Sequence, residues 1–313
     1  MKKSGLMKYG AAFLAAAMLM GALTACGGSS EADTADTTAA ETSAEASAET
    51  TKAASSETEE SSAEAEPSRL DEILEAGVIT MATSPDYAPY EFEDISSGET
   101  VYAGADIELG KYIAEKLGVE LQIEAMDFNA CQGAVSMGSV DMAISGFAYT
   151  EERAENFNIS DGYNIKDSDQ GIIVLKSRAE ELSTKEAFTG MTLGVQNASL
   201  QQQLRAEQLP DSKEEIITNL NDGIMMLITG KIDALVCSVP VAEQYCVNYP
   251  DLAVSDYLFE YESEGIRILV EKGEDELLEA INEVLAEVNE SGIYQQWTDE
   301  ALELATSLGI ETN

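Results

Sequence analysis

Residues 106–125 read DIELGKYIAEKLGVELQIEA. An aspartate opens the stretch, apolar Ile107, Ile113 and Leu117 recur at helical spacing, and Gly118 stands where a left-handed C-cap belongs. VELQIEA (119–125) then alternates as a strand does. Outward from this unit, VITMATS (78–84) predicts a strand, NACQGAVSMG (129–138) a short helix and VDMAIS (140–145) another strand. The rhythm returns with MTLGV (191–195), SLQQQLRAEQ (199–208), EIITN (215–219), DGIMMLITG (222–230) and IDALVC (232–237). Such alternation predicts an α/β architecture with mainly parallel strands. In open α/β sheets ligands bind beyond the carboxyl ends of strands, so the loops after strands hold the candidate residues.

The first 66 residues read differently. Lys2, Lys3 and Lys8 precede an apolar run from Ala11 to Ala22, too short to span a bilayer and fitting a secretory leader. LTAC (23–26) matches the bacterial lipobox, so Cys26 is the expected lipidation site and the rest is expected outside the cytoplasmic membrane. From Gly27 to Glu66 there is no Leu, Ile, Val or aromatic residue, and an acidic, disordered tether is expected. With 11 of the 59 acids and four of the 17 bases before residue 67, the remainder carries about −35 of the net −42. Phosphate neutralisation needs Lys and Arg, so this balance argues against nucleic acid and against an electrostatic membrane surface. Solubility is the plainer meaning of the charge.

Histidine is absent from the chain. That removes Ser-His-Asp and Cys-His catalysis, His-ligated zinc and histidine proton shuttles. No phosphate-binding glycine loop is present, and DGYNIKDSDQG (161–171) fails as a calcium loop, so no cofactor or metal is expected. Cys131, Cys237 and Cys246 have no metal-site spacing; Cys237 and Cys246 could pair, or all could be free thiols.

Arg153 is the one base among four acids in ISGFAYTEERAENFNISDGY (144–163). Thr150 reads as an N-cap with Glu151 and Glu152 in the positive first turn. Side chains lean toward a helix N-terminus, so Arg153 should reach back over the 145–148 loop. A guanidinium there suits a carboxylate held bidentately; a surface pair with Glu151 or Glu155 is the alternative.

Nine motifs then carry a resemblance: TSPDYAPYEFED (83–94), GADIELGKYIAEKLG (104–118), MDFNA (126–130), VDMAISGFAYTEER (140–153), NISDGY (158–163), LGVQNAS (193–199), GKIDALVCSVPVAEQY (230–245), EGIRILVEKG (264–273) and ESGIYQQW (290–297). Together they resemble the family 3 bacterial extracellular solute-binding proteins, the polar amino-acid receptors of ABC importers. The resemblance implies a two-lobed, type II periplasmic-binding-protein-like α/β fold, with two crossover segments and a cleft that closes on ligand. Lobe 1 would span 67–165 plus 259–313, and lobe 2 166–258. The implied partners are a small carboxylate-bearing solute, most simply an amino acid, and an ABC permease. The membrane would be met only through the lipid anchor, and a monomer is expected. A sensory receptor subunit and a dehydratase-like cleft enzyme are the rival readings; the first lacks a fused signalling segment, the second a histidine.

By the same resemblance Arg153 grips the ligand carboxylate, and Tyr87 and Tyr90 cover the ligand near the mouth. Phe128 stacks on it, Ser145 and Gly146 meet its ammonium, the 146–148 backbone donates to its carboxylate, and Ser199 closes from lobe 2. Three positions depart from the family pattern. Ala148 replaces a small hydroxyl residue, Ala198-Ser199-Leu200 replaces a Gly-Thr-Thr loop, and Ser238 replaces the aspartate that pairs with the ammonium. A buried ammonium without a counter-charge is costly, so Asp86, Glu91 or Glu243 would have to substitute. Ser84 stands where receptors for basic amino acids can carry Asp, which points away from lysine or arginine.

Overall fold

A computed structural model describes residues 67–164 and 169–308; the leader, Cys26 and the acidic tether lie outside these residues. Ser68 opens the described body as the N-cap of α1 (Arg69–Ala76), in a reciprocal capping box with Asp71. β1 (Val78–Thr83) follows, then three short strands, β2 (Asp86–Tyr87), β3 (Glu91–Asp94) and β4 (Val101–Ala103), which form a small antiparallel sheet. α2 (Ala105–Leu117) ends on left-handed Gly118 and leads into β5 (Glu120–Ala125), as the opening stretch predicts. α3 (Phe128–Ser136), β6 (Met142–Ala148), α4 (Glu151–Asn156) and β7 (Asn158–Ile159) complete this run.

Beyond Tyr163 the chain passes into a second sheet. There β8 (Gln170–Leu175) and β9 (Thr192–Gln196) are followed by α5 (Leu200–Gln208), β10 (Lys213–Ile217), α6 (Leu220–Ile228), β11 (Ala234–Ser238), α7 (Val239–Asn248) and β12 (Leu252–Val254). It returns to the first sheet with β13 (Ile266–Val270) and ends on α8 (Asp275–Ser291) and α9 (Ile293–Leu308). The strand orders are β5-β1-β6-β13-β7 and β10-β9-β11-β8-β12, so each five-stranded sheet belongs to one lobe of a two-lobed α/β fold.

The expectation of mainly parallel strands holds for the β-α-β units only. β1 pairs with β5 and β6, and β9 with β10 and β11, all parallel. The strands flanking the crossings run the other way: β13 is antiparallel to β6 and β7, and β8 to β11 and β12. In each sheet the reversed strand β8 or β13 is the one that enters from the other lobe, a long-range feature that local periodicity does not register.

Apolar residues fill both faces of each sheet. In lobe 1, Ile79 and Met81 pack with Ile107 and Ile113 of α2, while Ala82 and Ala143 meet Cys131 and Val135 of α3. In lobe 2, Val174 and Val195 face Leu204 of α5, and Ile173 and Leu235 face Ile224 of α6. Cys131, Cys237 and Cys246 are free thiols, which settles the pairing alternative. Gly104 is required between β4 and α2: at φ +128° an added Cβ would lie 2.0 Å from the Tyr90 carbonyl oxygen.

Candidate functional site

The cleft ends of the strands converge on a cavity of about 50 Å³ between the lobes. Asp86, Tyr87, Tyr90, Glu91, Phe128, Ser145, Gly146, Ala148 and Arg153 line it from lobe 1, and Gln170, Gln196, Gln201 and Ser238 from lobe 2.

Arg153 sits where the cap reading places it. The Thr150 hydroxyl accepts from the Arg153 amide at 3.2 Å, starting α4 after β6. Its guanidinium turns back toward β6, where Nη1 donates to the Ala148 carbonyl at 2.7 Å. Nη2 donates to the Ala198 carbonyl of lobe 2 at 2.7 Å, and Nε to Gln132 at 3.3 Å. Three of five donors are thus used, leaving one N–H on each terminal nitrogen. The rings of Phe128 and Phe147 lie 5.6 and 5.4 Å from the guanidinium carbon. Arg153 is buried and forms no ion pair among the described residues, so the surface pairing with Glu151 or Glu155 is excluded. Burial lowers its pKa to about 10, which leaves it a cation at neutral pH.

Several groups assigned to the ligand are engaged with the protein itself. The Ser145 hydroxyl donates to Glu91 Oε1 at 2.8 Å and accepts from the Ser84 amide at 3.0 Å. The Gly146 amide donates to Asp106 Oδ2 at 3.0 Å, with φ at +59° turning it there. The Ser238 side chain meets the Tyr87 hydroxyl at 2.7 Å across the cleft. Ser199 does not line the cavity: its hydroxyl caps α5, accepting from the Gln202 amide and donating to the Gln196 carbonyl. Phe128 stacks with Phe147, ring centroids 4.8 Å apart, and Tyr90 lies 5.9 Å from Tyr87, fully buried.

Two of the three proposed substitute acids, Asp86 and Glu91, line the cavity; Glu243 of α7 does not. Asp86 Oδ2 accepts from the Leu220 amide of α6 at 2.6 Å and from Gln196 Nε2 at 3.1 Å, and its carbonyl accepts from the Tyr245 hydroxyl at 2.8 Å. Ser84 donates to the other Asp86 oxygen at 3.0 Å and does not line the cavity. Glu91 is buried, with burial and the adjacent carboxylate of Asp106 holding its pKa well above the ordinary range. Sequence reasoning missed Gln170, Gln196 and Gln201. Gln196 carried a signal, since it ends β9 where a parallel strand meets the cleft; Gln170 begins β8, whose reversed direction the sequence does not record.

Ala198 carries the strain of the altered lobe 2 loop, at φ +57°. A left-handed Cβ costs about 1 kcal/mol and glycine does not bear it. Part of that gain is offset by the freer unfolded chain, so Ala198→Gly should raise unfolding free energy by about 0.5 kcal/mol, read by urea titration.

Two α/β lobes, joined by two crossings and closing a buried arginine and two acids between them, define a type II solute-binding protein. The family model of the bacterial extracellular solute-binding proteins, family 3, matches residues 79–302, and the chain belongs to that family. It is 31% identical, over 68% of its own length and 82% of the relative, to the arginine-binding extracellular protein ArtP of Bacillus subtilis. Among solved structures, AbpA of Streptococcus pneumoniae, an amino acid ABC transporter substrate-binding protein bound to L-arginine, is similar at TM-score 0.70. The two share 31% identity, and the match covers 75% of this chain and 98% of that one. A shorter match, 34% over 93 residues, reaches the cyclohexadienyl dehydratase of Pseudomonas aeruginosa and covers 30% of this chain and 34% of the enzyme. No described helix is long and apolar enough to cross a membrane, and no described cluster of His, Cys, Asp and Glu has metal-ligand geometry.

Proposed function

We propose that this chain captures an amino acid between its lobes and passes it, without chemical change, to the permease of an ABC importer. Cys26, lipidated, would hold it at the outer face of the membrane, and the 27–66 segment would be its tether. The observation that carries the reading is Arg153, buried at the mutual boundary of both lobes with an N–H still available on each terminal nitrogen. A carboxylate takes two such donors in a fork. The named ligands of the relatives, arginine above all, agree with a carboxylate-bearing solute.

Lobe 2 offers the ligand ammonium no charge, because Ser238 stands in place of an acid and meets Tyr87 instead. The counter-charge would therefore come from lobe 1, where Asp86 and Glu91 face the cavity. The same acids answer the lack of charge at Ser84, so a basic amino acid is again a fitting ligand.

The test is thermal unfolding of the purified protein, stripped of ligand, against amino acids, their decarboxylated amines and their deaminated acids. A ligand at 100 times its dissociation constant stabilises by about 2.7 kcal/mol, a clear shift in Tm. Amino acids should shift the transition and both truncated sets should not. Deaminated acids that bind equally well would remove the ammonium from the recognition scheme.

A further inference from the structure

Glu91 and Asp106 form a buried acidic pair with an unequal supply of donors. Asp106, on α2, is fully buried and receives the Tyr294 hydroxyl at 2.6 Å, the Tyr163 hydroxyl at 3.1 Å and the Gly146 amide at 3.0 Å. Glu91, on β3 and 1% exposed, receives only the Ser145 hydroxyl, on Oε1; its Oε2 is buried and accepts from no donor. The two carboxyl groups converge on neighbouring residues, Glu91 on the Ser145 hydroxyl and Asp106 on the Gly146 amide, and adjacent buried carboxyls do not both ionise; burial and the proximity of Asp106 raise the pKa of Glu91. Three donors identify Asp106 as the anion, leaving Glu91 as the acid. The ionisable groups around Glu91 are Asp106, Asp86 and Tyr87 on β2, Tyr163 after β7 and Cys131 on α3. None of them is a cation, and Arg153 across the cavity is turned to the Ala148 and Ala198 carbonyls.

We infer that Glu91 and Asp106 share one proton, carried by Glu91, and that a cationic group entering the cavity displaces it to solvent and takes the Glu91 carboxylate as its partner. The exchange balances: a carboxylic acid and a ligand ammonium or guanidinium become an ion pair plus one proton released to buffer. Its second half rests on the proposed amino-acid ligand; its first half does not. Glu91 lines the cavity beside Gly146, its Oε1 about 4.0 Å from where a Cβ on residue 146 would lie, with the Tyr87 ring nearer at 3.4 Å.

Two measurements separate the halves. Infrared spectroscopy of the stripped protein at neutral pH should show a protonated carboxylic-acid carbonyl band that is missing in Glu91→Gln. The amide keeps the shape and donates to Asp106 as the acid would, so this variant should fold. No band, or a band that survives the substitution, overturns the shared proton. Calorimetry with L-arginine in buffers of different ionisation enthalpy should then report release of one proton, and affinity rising about tenfold per pH unit while Glu91 is protonated. Glu91→Gln should bind L-arginine without proton release and more weakly. Binding of L-arginine, or of any other amino acid that binds, with no buffer dependence overturns the exchange and leaves the amino-acid reading standing. If no amino acid binds, that reading and the exchange both fall, and the infrared result still decides the shared proton.

Discussion

Arg153→Met should leave the protein folded and reduce its affinity for a carboxylate ligand by roughly two to three orders of magnitude. Truncating one member of a buried, hydrogen-bonded charge pair costs about 2–5 kcal/mol, and about 1.4 kcal/mol is a factor of ten. The fold is spared for a reason visible at the site. Burial already disfavours the charged guanidinium, lowering its pKa to about 10, so a neutral side chain escapes that desolvation. Methionine keeps an unbranched apolar stem between Phe128 and Phe147. What is lost is the pair of bonds to the Ala148 and Ala198 carbonyls, one from each lobe, and with them both free N–H groups. Calorimetry for affinity and a circular-dichroism melt for stability read the two effects separately. Affinity within threefold of the parent would remove Arg153 from ligand binding, and a collapse of the melt would make its role structural.

The arginine was legible in the sequence because its position is fixed locally. A Thr N-cap, two acids in the first turn and the backward lean of helical side chains set its direction before any tertiary contact is considered. The β-α-β units were legible for the same reason: α2 and β5 differ from the predicted bounds by one residue. Pairing direction was not. β8, β12 and β13 are ordinary apolar runs whose antiparallel partners lie far along the chain, and nothing within them records the reversal. The small β2-β3-β4 sheet escaped because two- and three-residue strands carry too few alternations to register. Among 59 acids, Asp86 and Glu91 have no local mark that separates them from solvated neighbours. Their burial is decided by where α6 and α2 dock. Ser145 shows the converse limit: a hydroxyl in the right loop is visible in the sequence, but the carboxyl that claims it is not.

Asp86 leads to a second large effect, on the dependence of stability on pH. Its carboxylate sits at the N-terminus of α6, where the Leu220 amide and the helix dipole favour the anion. Burial nevertheless outweighs these bonds and raises its pKa from 3.8 to about 6. The folded form therefore binds the proton more tightly than the unfolded chain. The contribution of Asp86 to stability is greatest below about pH 4, where both forms are protonated, and falls as pH rises toward 6, where the folded form must ionise a buried group. At about 1.4 kcal/mol for each pKa unit, the loss is on the order of 3 kcal/mol. Glu91, also raised, acts in the same direction. Asp86→Asn should remove most of the Asp86 contribution. Its amide oxygen can accept from Leu220 and Gln196 where Oδ2 does now, and its amide nitrogen can donate to the Ser84 hydroxyl. The variant should match the parent near pH 4 and exceed it by about 2–3 kcal/mol at pH 7, read from urea titrations across that range. An unchanged slope between pH 4 and 6 would mean that the Leu220 and Gln196 bonds, and not burial, set the ionisation of Asp86. Destabilisation at every pH would instead make the negative charge itself part of what holds the lobes together, since Leu220, Gln196 and Tyr245 all reach Asp86 from lobe 2.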